Sequence, residues 1–196
     1  MMKLAKAISF FLGPVFILFP VPFILVLKFS QNYYHALKWA VFSYAFILAV
    51  AIFVIIGVIL GMFSNFDISK REQRPQLFAF CAFAIFCYSL ALIVLNGPRV
   101  LFIALFAITF GLIAIVIVNK WIKASIHLAA ATSVAIFIGI VYGGYYFLLL
   151  FLIPILAWAR VKTKEHTAME TIIGTILGLV ITLVVYFISR RLFYLG

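Results

Sequence analysis

A histidine and a glutamate four residues apart are the first candidates for chemistry in this chain of 196 residues. His166 and Glu170 stand at the start of an apolar segment, and this spacing puts both side chains on one face of a helix. A carboxylate so placed can accept the ring N–H of the imidazole, which fixes the tautomer and leaves the other nitrogen as a base or a nucleophile. The simpler interpretation is a solvated helix start with an acid near the positive end of the helix dipole.

A second polar stretch runs from Lys120 into another apolar segment and contains Lys123, Ser125 and His127. An imidazole at the mouth of a membrane helix is costly unless it is paired or faces water. Ser125 is predicted to cap the helix, and the N–H groups of that first turn would attract an anion. The alternative is a plain helix cap with an incidental histidine.

A third polar stretch covers residues 67–75 and contains the basic residues Lys70, Arg71 and Arg74. Guanidinium and ammonium groups in one loop can direct several donors at a phosphate. The same residues would also suit a positively charged turn that anchors the protein at a membrane surface.

The amino-acid composition indicates the environment in which these polar stretches lie. Hydrophobic residues make up 68% of the chain and charged residues 10%, and the mean hydropathy is +1.34. Soluble domains carry about 25% charged residues, so this chain is expected to be an integral membrane protein. The net charge of +11 contains no long basic run. We therefore interpret it as topogenic charge and attraction to membrane lipids, and we expect no nucleic-acid partner.

Apolar runs long enough to cross a membrane fix the expected fold. A span needs about 20 apolar residues, and seven candidates lie at roughly 8–28, 38–63, 77–95, 100–118, 126–142, 145–159 and 168–189. The sequence thus predicts an all-α polytopic transmembrane helical bundle of six to seven spans, a single integral membrane domain over residues 1–196. We expect a multi-pass protein of the cell membrane. Gly174 and Gly178 permit close helix contact within such a bundle.

Counting spans predicts which polar stretches share a side of the membrane. If every segment crosses, the loops 64–76, 119–125 and 160–167 lie on the side of the N-terminus, because two spans separate each from the next. All four acidic residues and two of the three histidines belong to that side. We expect His35 to lie in a loop on the opposite side, within an interfacial aromatic belt.

Read in order, the three stretches give a recognisable pattern: Arg74-Pro75, then Ser125-x-His127, then Arg160-x5-His166-x3-Glu170. This order resembles the motifs of the type 2 phosphatidic acid phosphatase family, membrane lipid phosphatases related in fold to vanadium haloperoxidases. The family motifs run Lys-x6-Arg-Pro, Pro-Ser-Gly-His and Ser-Arg-x5-His-x3-Asp. The resemblance covers about residues 67–178 and is that of a small, divergent prokaryotic member.

The resemblance implies metal-independent hydrolysis of a phosphorylated lipid through a phosphohistidine, with no metal and no cofactor. In the reaction that the resemblance implies, His166 is the nucleophile, Glu170 orients the His166 ring, and His127 protonates the leaving alcohol. The remaining candidates would bind the phosphate: Arg74, Arg160, Ser125, Lys70, Arg71 and Lys123.

Departures from the family pattern leave other functions open. Asp67 stands where the family has its first lysine, and the cation could instead come from Lys70, Arg71 or Lys123. A catalytically altered or inactive member is one alternative, and a transporter or binder of anionic lipids without enzymatic activity is another. The further differences are Ala124, Ile126, Ala159 and Glu170 in place of proline, glycine, serine and aspartate.

Overall fold

The computed structural model describes residues 1–193, and over that range the chain is helical with no β-strand. The predicted all-α fold is confirmed. Nine α-helices follow one another within these residues: α1 Met2–Phe11, α2 Pro14–Leu18, α3 Val21–Ser30, α4 Tyr33–Ile59, α5 Arg74–Val94, α6 Arg99–Val118, α7 Ile126–Tyr142, α8 Leu152–Lys162 and α9 Ala168–Phe193. Two 3-10 helices, Arg71–Gln73 and Gly144–Phe151, lead into α5 and α8.

Five helical segments are long and apolar enough to cross a membrane: Tyr33–Ile59, Arg71–Val94, Arg99–Val118, Gly144–Lys162 and Ala168–Arg191. A sixth is counted if Met2–Leu18 and Val21–Ser30, which meet at a bend of 42°, form one broken span. The prolines of that first segment account for the break. α7 is an apolar helix of 17 residues, shorter than the other candidates. The chain is therefore a multi-pass membrane protein with about six spans.

The chain divides into two compact units. One consists of residues 18–112, and the other combines residues 1–17 with the chain from residue 113 onward. The single domain expected from the sequence stays a prediction.

In the unit of residues 18–112, α3 and α4 are joined by a two-residue turn. Asn32 begins α4, because its side-chain oxygen accepts the N–H of His35 at 2.9 Å. His35 consequently lies in the first turn of α4, and its predicted position in a loop was wrong. The next pair of helices, α4 and α5, is joined by a hydrogen bond between the hydroxyls of Ser43 and Tyr88, which lie 2.7 Å apart.

In the unit formed by residues 1–17 and the chain from 113, α7 and α9 pack at Gly174 and Gly178, the two glycines predicted to permit close helix contact. A Cβ atom at Gly174 would lie 2.5 Å from the carbonyl oxygen of Ser125, and one at Gly178 would lie 2.5 Å from that of Ala129. Residue numbers rise together along these contacts, so the two helices run parallel. The starts of α7 and α9 therefore lie side by side.

The segment between α7 and α9 returns the chain to the end at which both helices begin. Gly143 and Gly144 make the predicted turn, and both have positive φ angles, 71° and 51°. α8 follows and packs against α1 and α7. The core of this unit is an apolar cluster of Leu128, Ala131, Ile153 and Leu156, against which Leu12, Ile17 and Ala157 pack.

The glycine contact predicts that one added carbon at Gly178 destabilises the protein. Alanine favours a helix over glycine by about 1 kcal/mol, but at this site the methyl group would meet the backbone of Ala129. We expect Gly178→Ala to lower the free energy of unfolding by about 1–3 kcal/mol, measured by thermal unfolding in detergent. Val180→Leu adds one carbon on the exposed face of α9 and should leave the midpoint unchanged. Equal midpoints for the two variants would contradict the contact.

Candidate active site

The predicted pair of His166 and Glu170 is formed. The ring Nδ1 of His166 lies 2.9 Å from Oε2 of Glu170, and the histidine side chain is 1% exposed while that of Glu170 is 20% exposed. A carboxylate oxygen accepts hydrogen bonds, so we assign the shared proton to Nδ1. Nε2 is then the ring nitrogen that carries the lone pair.

Glu170 also holds the start of α9. Its Oε2 accepts the backbone N–H of Thr167 at 3.1 Å, and the Thr167 hydroxyl accepts the N–H of Glu170 at 3.3 Å. This reciprocal pair is a capping box, which satisfies two amides that a helix start would otherwise leave open. One carboxylate oxygen therefore fixes both the imidazole of His166 and the start of α9. His166 itself lies in the turn before α9, so its predicted place on the same helix as Glu170 was wrong.

The turn that ends α8 places His166 beside Arg160. Lys164 adopts a left-handed conformation with φ of 60°, which reverses the chain just after the helix. The carbonyl oxygen of Arg160 then accepts the N–H groups of Glu165 and His166 at 3.2 and 3.3 Å. The five residues between Arg160 and His166 in the motif are thus the last two residues of α8 and the turn that follows the helix.

Arg160 is a buried cation, 1% exposed. It stands in the last turn of α8, where the negative end of the helix dipole stabilises a positive charge by about 0.3–1 kcal/mol. Its Nη1 donates a hydrogen bond to the hydroxyl of Ser9 at 2.7 Å. A buried guanidinium needs such polar neighbours because desolvation of a charge is costly.

Ser125 occupies the cap position of α7 but does not cap it with its side chain. Its backbone is extended, and its N–H donates to the carbonyl oxygen of Glu170 at 3.2 Å. The hydroxyl is fully buried and makes no hydrogen bond, so the predicted side-chain cap was wrong. A buried hydroxyl without a partner costs about 1–3 kcal/mol, and here it stands at the N-terminus of a 17-residue helix beside the start of α9.

His127 lies two residues further along the first turn of α7 and is half-buried. Its Nε2 faces the break between α1 and α2, where a Cβ atom at Gly13 would come within 3.5 Å of it. Since α7 and α9 begin side by side, both predicted catalytic histidines lie at the same end of this unit.

Lys123 joins the two loops that carry these helix starts. Its Nζ donates to the carbonyl oxygen of Glu165 at 2.7 Å. The predicted convergence of the loops 119–125 and 160–167 on one side is confirmed within this unit.

The polar stretch of residues 67–75 belongs to the unit of residues 18–112, and there it is an ordered loop. Arg74, the first residue of α5, is 2% exposed, and its Nε donates to the carbonyl oxygen of Ile68 at 3.3 Å. Lys70 is exposed and Arg71 is half-buried in the 3-10 turn. Their role and that of Arg74 as phosphate ligands stay predictions.

Three contributors to this site were not singled out from the sequence. Thr167 had a readable signal, because Thr-x-x-Glu ahead of an apolar run is the pattern of a capping box. Ser9 and Gly13 had none, because their contacts with Arg160 and His127 cross from the first helices to α8 and α7. Only the tertiary structure brings residues so far apart in sequence together.

Comparisons of the chain with profiles of protein families, with curated proteins and with solved structures gave no significant match. Within residues 1–193 no three His, Cys, Asp or Glu side chains are grouped as ligands for one metal ion. The polar side chains at this end of the unit include two imidazoles, one carboxylate, one ammonium group, a buried guanidinium and three hydroxyls, those of Ser9, Ser125 and Thr167.

The geometry predicts the tautomer of His166. We expect long-range ¹⁵N–¹H spectra of the labelled protein in micelles to show His166 protonated on Nδ1, because Glu170 can only accept. Glu170→Ala should move the neutral ring toward the Nε2–H form. Thr167→Ala removes the other half of the capping box and should leave the tautomer unchanged. An Nε2–H ring in the unmodified protein would contradict the assigned hydrogen bond.

Proposed function

We propose that this protein is a phosphatase of the cell membrane that hydrolyses a phosphomonoester or diphosphate headgroup of a lipid through a phosphohistidine at His166. The observation that carries the proposal is the buried pair of His166 and Glu170, with Nδ1 and Oε2 2.9 Å apart. A buried imidazole whose proton is fixed on one nitrogen presents a nucleophilic lone pair on the other.

The first step transfers the phosphoryl group to the protein. Nε2 of His166 forms a bond to the terminal phosphorus while the bond from that phosphorus to the leaving oxygen breaks, which releases the lipid alcohol from a monoester or the lipid monophosphate from a diphosphate. His127 gives a proton to that leaving oxygen as a general acid. Glu170 stabilises the positive charge that develops on the His166 ring.

The second step returns the site to its starting state. His127, now neutral, takes a proton from a water molecule whose oxygen attacks the phosphorus. The nitrogen–phosphorus bond breaks, and inorganic phosphate leaves. Protons balance over the cycle, because His127 gives one in the first step and recovers one in the second.

Binding of the transferring group is assigned to Arg160, the Ser125 hydroxyl and the N–H groups at the start of α7. Phosphoryl transfer depends mainly on positioning and on neutralising charge on the phosphate oxygens. A buried guanidinium and a buried hydroxyl without a hydrogen bond supply donors of the required kind. The role of Lys123 is then to hold the loop that ends in Ser125 against the loop that carries His166.

The position of the site supports a lipid as the substrate. The charged and imidazole groups lie at the ends of apolar helices, where a lipid presents its headgroup while its tails stay in the hydrocarbon. A transporter would place polar groups near the middle of its spans and show inverted repeats, and the sequence shows no internal repeat. The helix-end position of the site therefore favours the phosphatase.

The direct test is phosphate release from a panel of lipids by purified protein in the presence of EDTA. We expect phosphatidate, phosphatidylglycerophosphate or a polyprenyl diphosphate to be hydrolysed, with His166→Ala abolishing turnover. Glu170→Ala should lower kcat by at least about 100-fold, since it removes the group that orients the nucleophile. His35→Ala, at the start of α4, is the matched control and should retain full activity.

Two results would overturn the proposal. Normal phosphate release by His166→Ala would exclude the phosphohistidine. No release from any lipid, with binding of anionic headgroups intact, would favour an inactive family member or a lipid-binding protein.

A further inference from the structure

The N-terminal helix contributes a polar side chain to the candidate site. The hydroxyl of Ser9 lies 2.7 Å from Nη1 of Arg160, and both residues are buried, at 5% and 1% exposed. A hydrogen bond with one charged member is about twice as strong as a neutral one. The sequence of this segment indicates no more than an apolar span.

Two more contacts hold the N-terminal segment in place. Ala5 and Ser9 are the buried residues of α1 and share the face that packs on α8. Beyond the helix, Leu12 and Ile17 pack against the apolar cluster that contains Leu128 and Leu156. The serine hydroxyl is therefore carried by an anchored backbone and not by a loose terminus.

The break between α1 and α2 lies against the second histidine. Gly13 is buried, and a side chain there would meet the carbonyl oxygen of Phe10 at 2.9 Å and Nε2 of His127 at 3.5 Å. The segment from Ser9 to Gly13 thus contacts two of the groups to which the proposed function gives roles.

A guanidinium needs outside contacts to hold one orientation. Its donors lie in a rigid plane, so a rotation of that plane moves all of them away from a phosphate oxygen. Ala159, the residue before Arg160, has no hydroxyl that could bind it. Ser9 supplies a hydroxyl from another helix.

We propose that Ser9 is a positioning residue, whose hydroxyl holds the guanidinium of Arg160 in the orientation that binds a phosphate oxygen. This inference rests on the proposed function for the role of Arg160, and it adds the N-terminal helix to the machinery of the site. The hydroxyl acts through Arg160 and takes no part in bond making.

The test compares Ser9→Ala and Ser9→Thr in the full chain, with inorganic phosphate as the binding probe. We expect Ser9→Ala to weaken phosphate binding about tenfold in calorimetric titration, because it removes one charge-assisted hydrogen bond. Ser9→Thr restores the hydroxyl and should bind within about twofold of the unmodified protein. In lipid hydrolysis, Ser9→Ala should lower kcat more than it raises KM, because charge on the phosphate oxygens is greatest in the transition state.

A matched control separates positioning from helix packing. Ser133 donates to the carbonyl oxygen of Gly178 at 3.0 Å and ties α7 to α9. Ser133→Ala removes a hydroxyl of the same kind away from Arg160 and should leave phosphate affinity unchanged. If Ser9→Ala does not fold, the pair Ser9→Thr and Ser9→Val replaces it. Threonine and valine have nearly equal volumes, and they differ only in that valine has a methyl group where threonine has the hydroxyl.

Each outcome decides the proposal. Equal phosphate affinity with and without the hydroxyl overturns it, as does equal loss in the alanine and threonine variants, which would make the effect one of packing. No phosphate binding by the unmodified protein overturns it too. Phosphate binding that depends on Ser9, without turnover of any lipid, supports the role of Ser9 and rejects the phosphatase.

Discussion

The close contact between the starts of α7 and α9 is the constraint on which the rest of the candidate site depends. Helices in a membrane gain little from hydrophobic burial against one another, and they associate through close packing and interhelical hydrogen bonds. Here Gly174 and Gly178 let the backbones approach, and the N–H of Ser125 reaches the carbonyl oxygen of Glu170. That one hydrogen bond sets Ser125 on α7 against the capping turn of α9.

The candidate site around this contact contains few polar residues, and two of them, Glu170 and Arg160, each have two roles. Glu170 fixes the His166 ring and caps α9. Arg160 presents a guanidinium to Ser9 while its carbonyl oxygen closes the turn that carries His166. In a chain with 10% charged residues, a substitution of Glu170 would therefore disturb both the start of α9 and the orientation of the His166 ring.

The sequence predicted those features that depend on local spacing or on counting spans. The pairing of His166 with Glu170 follows from their interval of four residues, although His166 lies in the turn before α9. The shared side of the loops at Lys123 and Glu165 follows from the two segments between them. The turn at Gly143 and Gly144 was also readable, since consecutive glycines accept positive φ angles.

Contacts between residues far apart in the chain could not be predicted from the sequence. Nothing in the first helix indicates that Ser9 meets Arg160 or that Gly13 meets His127. The failure of the Ser125 hydroxyl to cap α7 was equally hidden, because residue type predicts a capping position and not whether the side chain turns toward it. The start of α4 differed from the prediction because the Asn32 cap draws His35 into the helix.

The modest length of α7 has a consequence for the surrounding bilayer. Seventeen residues of α-helix cover about 25 Å, less than the roughly 30 Å of a typical hydrocarbon core. Where α7 crosses, either the lipid leaflets thin around it or its polar end sits below the neighbouring headgroups. Both arrangements deform the lipid, and shorter or more disordered acyl chains accommodate that deformation at lower cost. A bilayer with a thin hydrocarbon core therefore matches the length of α7 better than one of typical thickness.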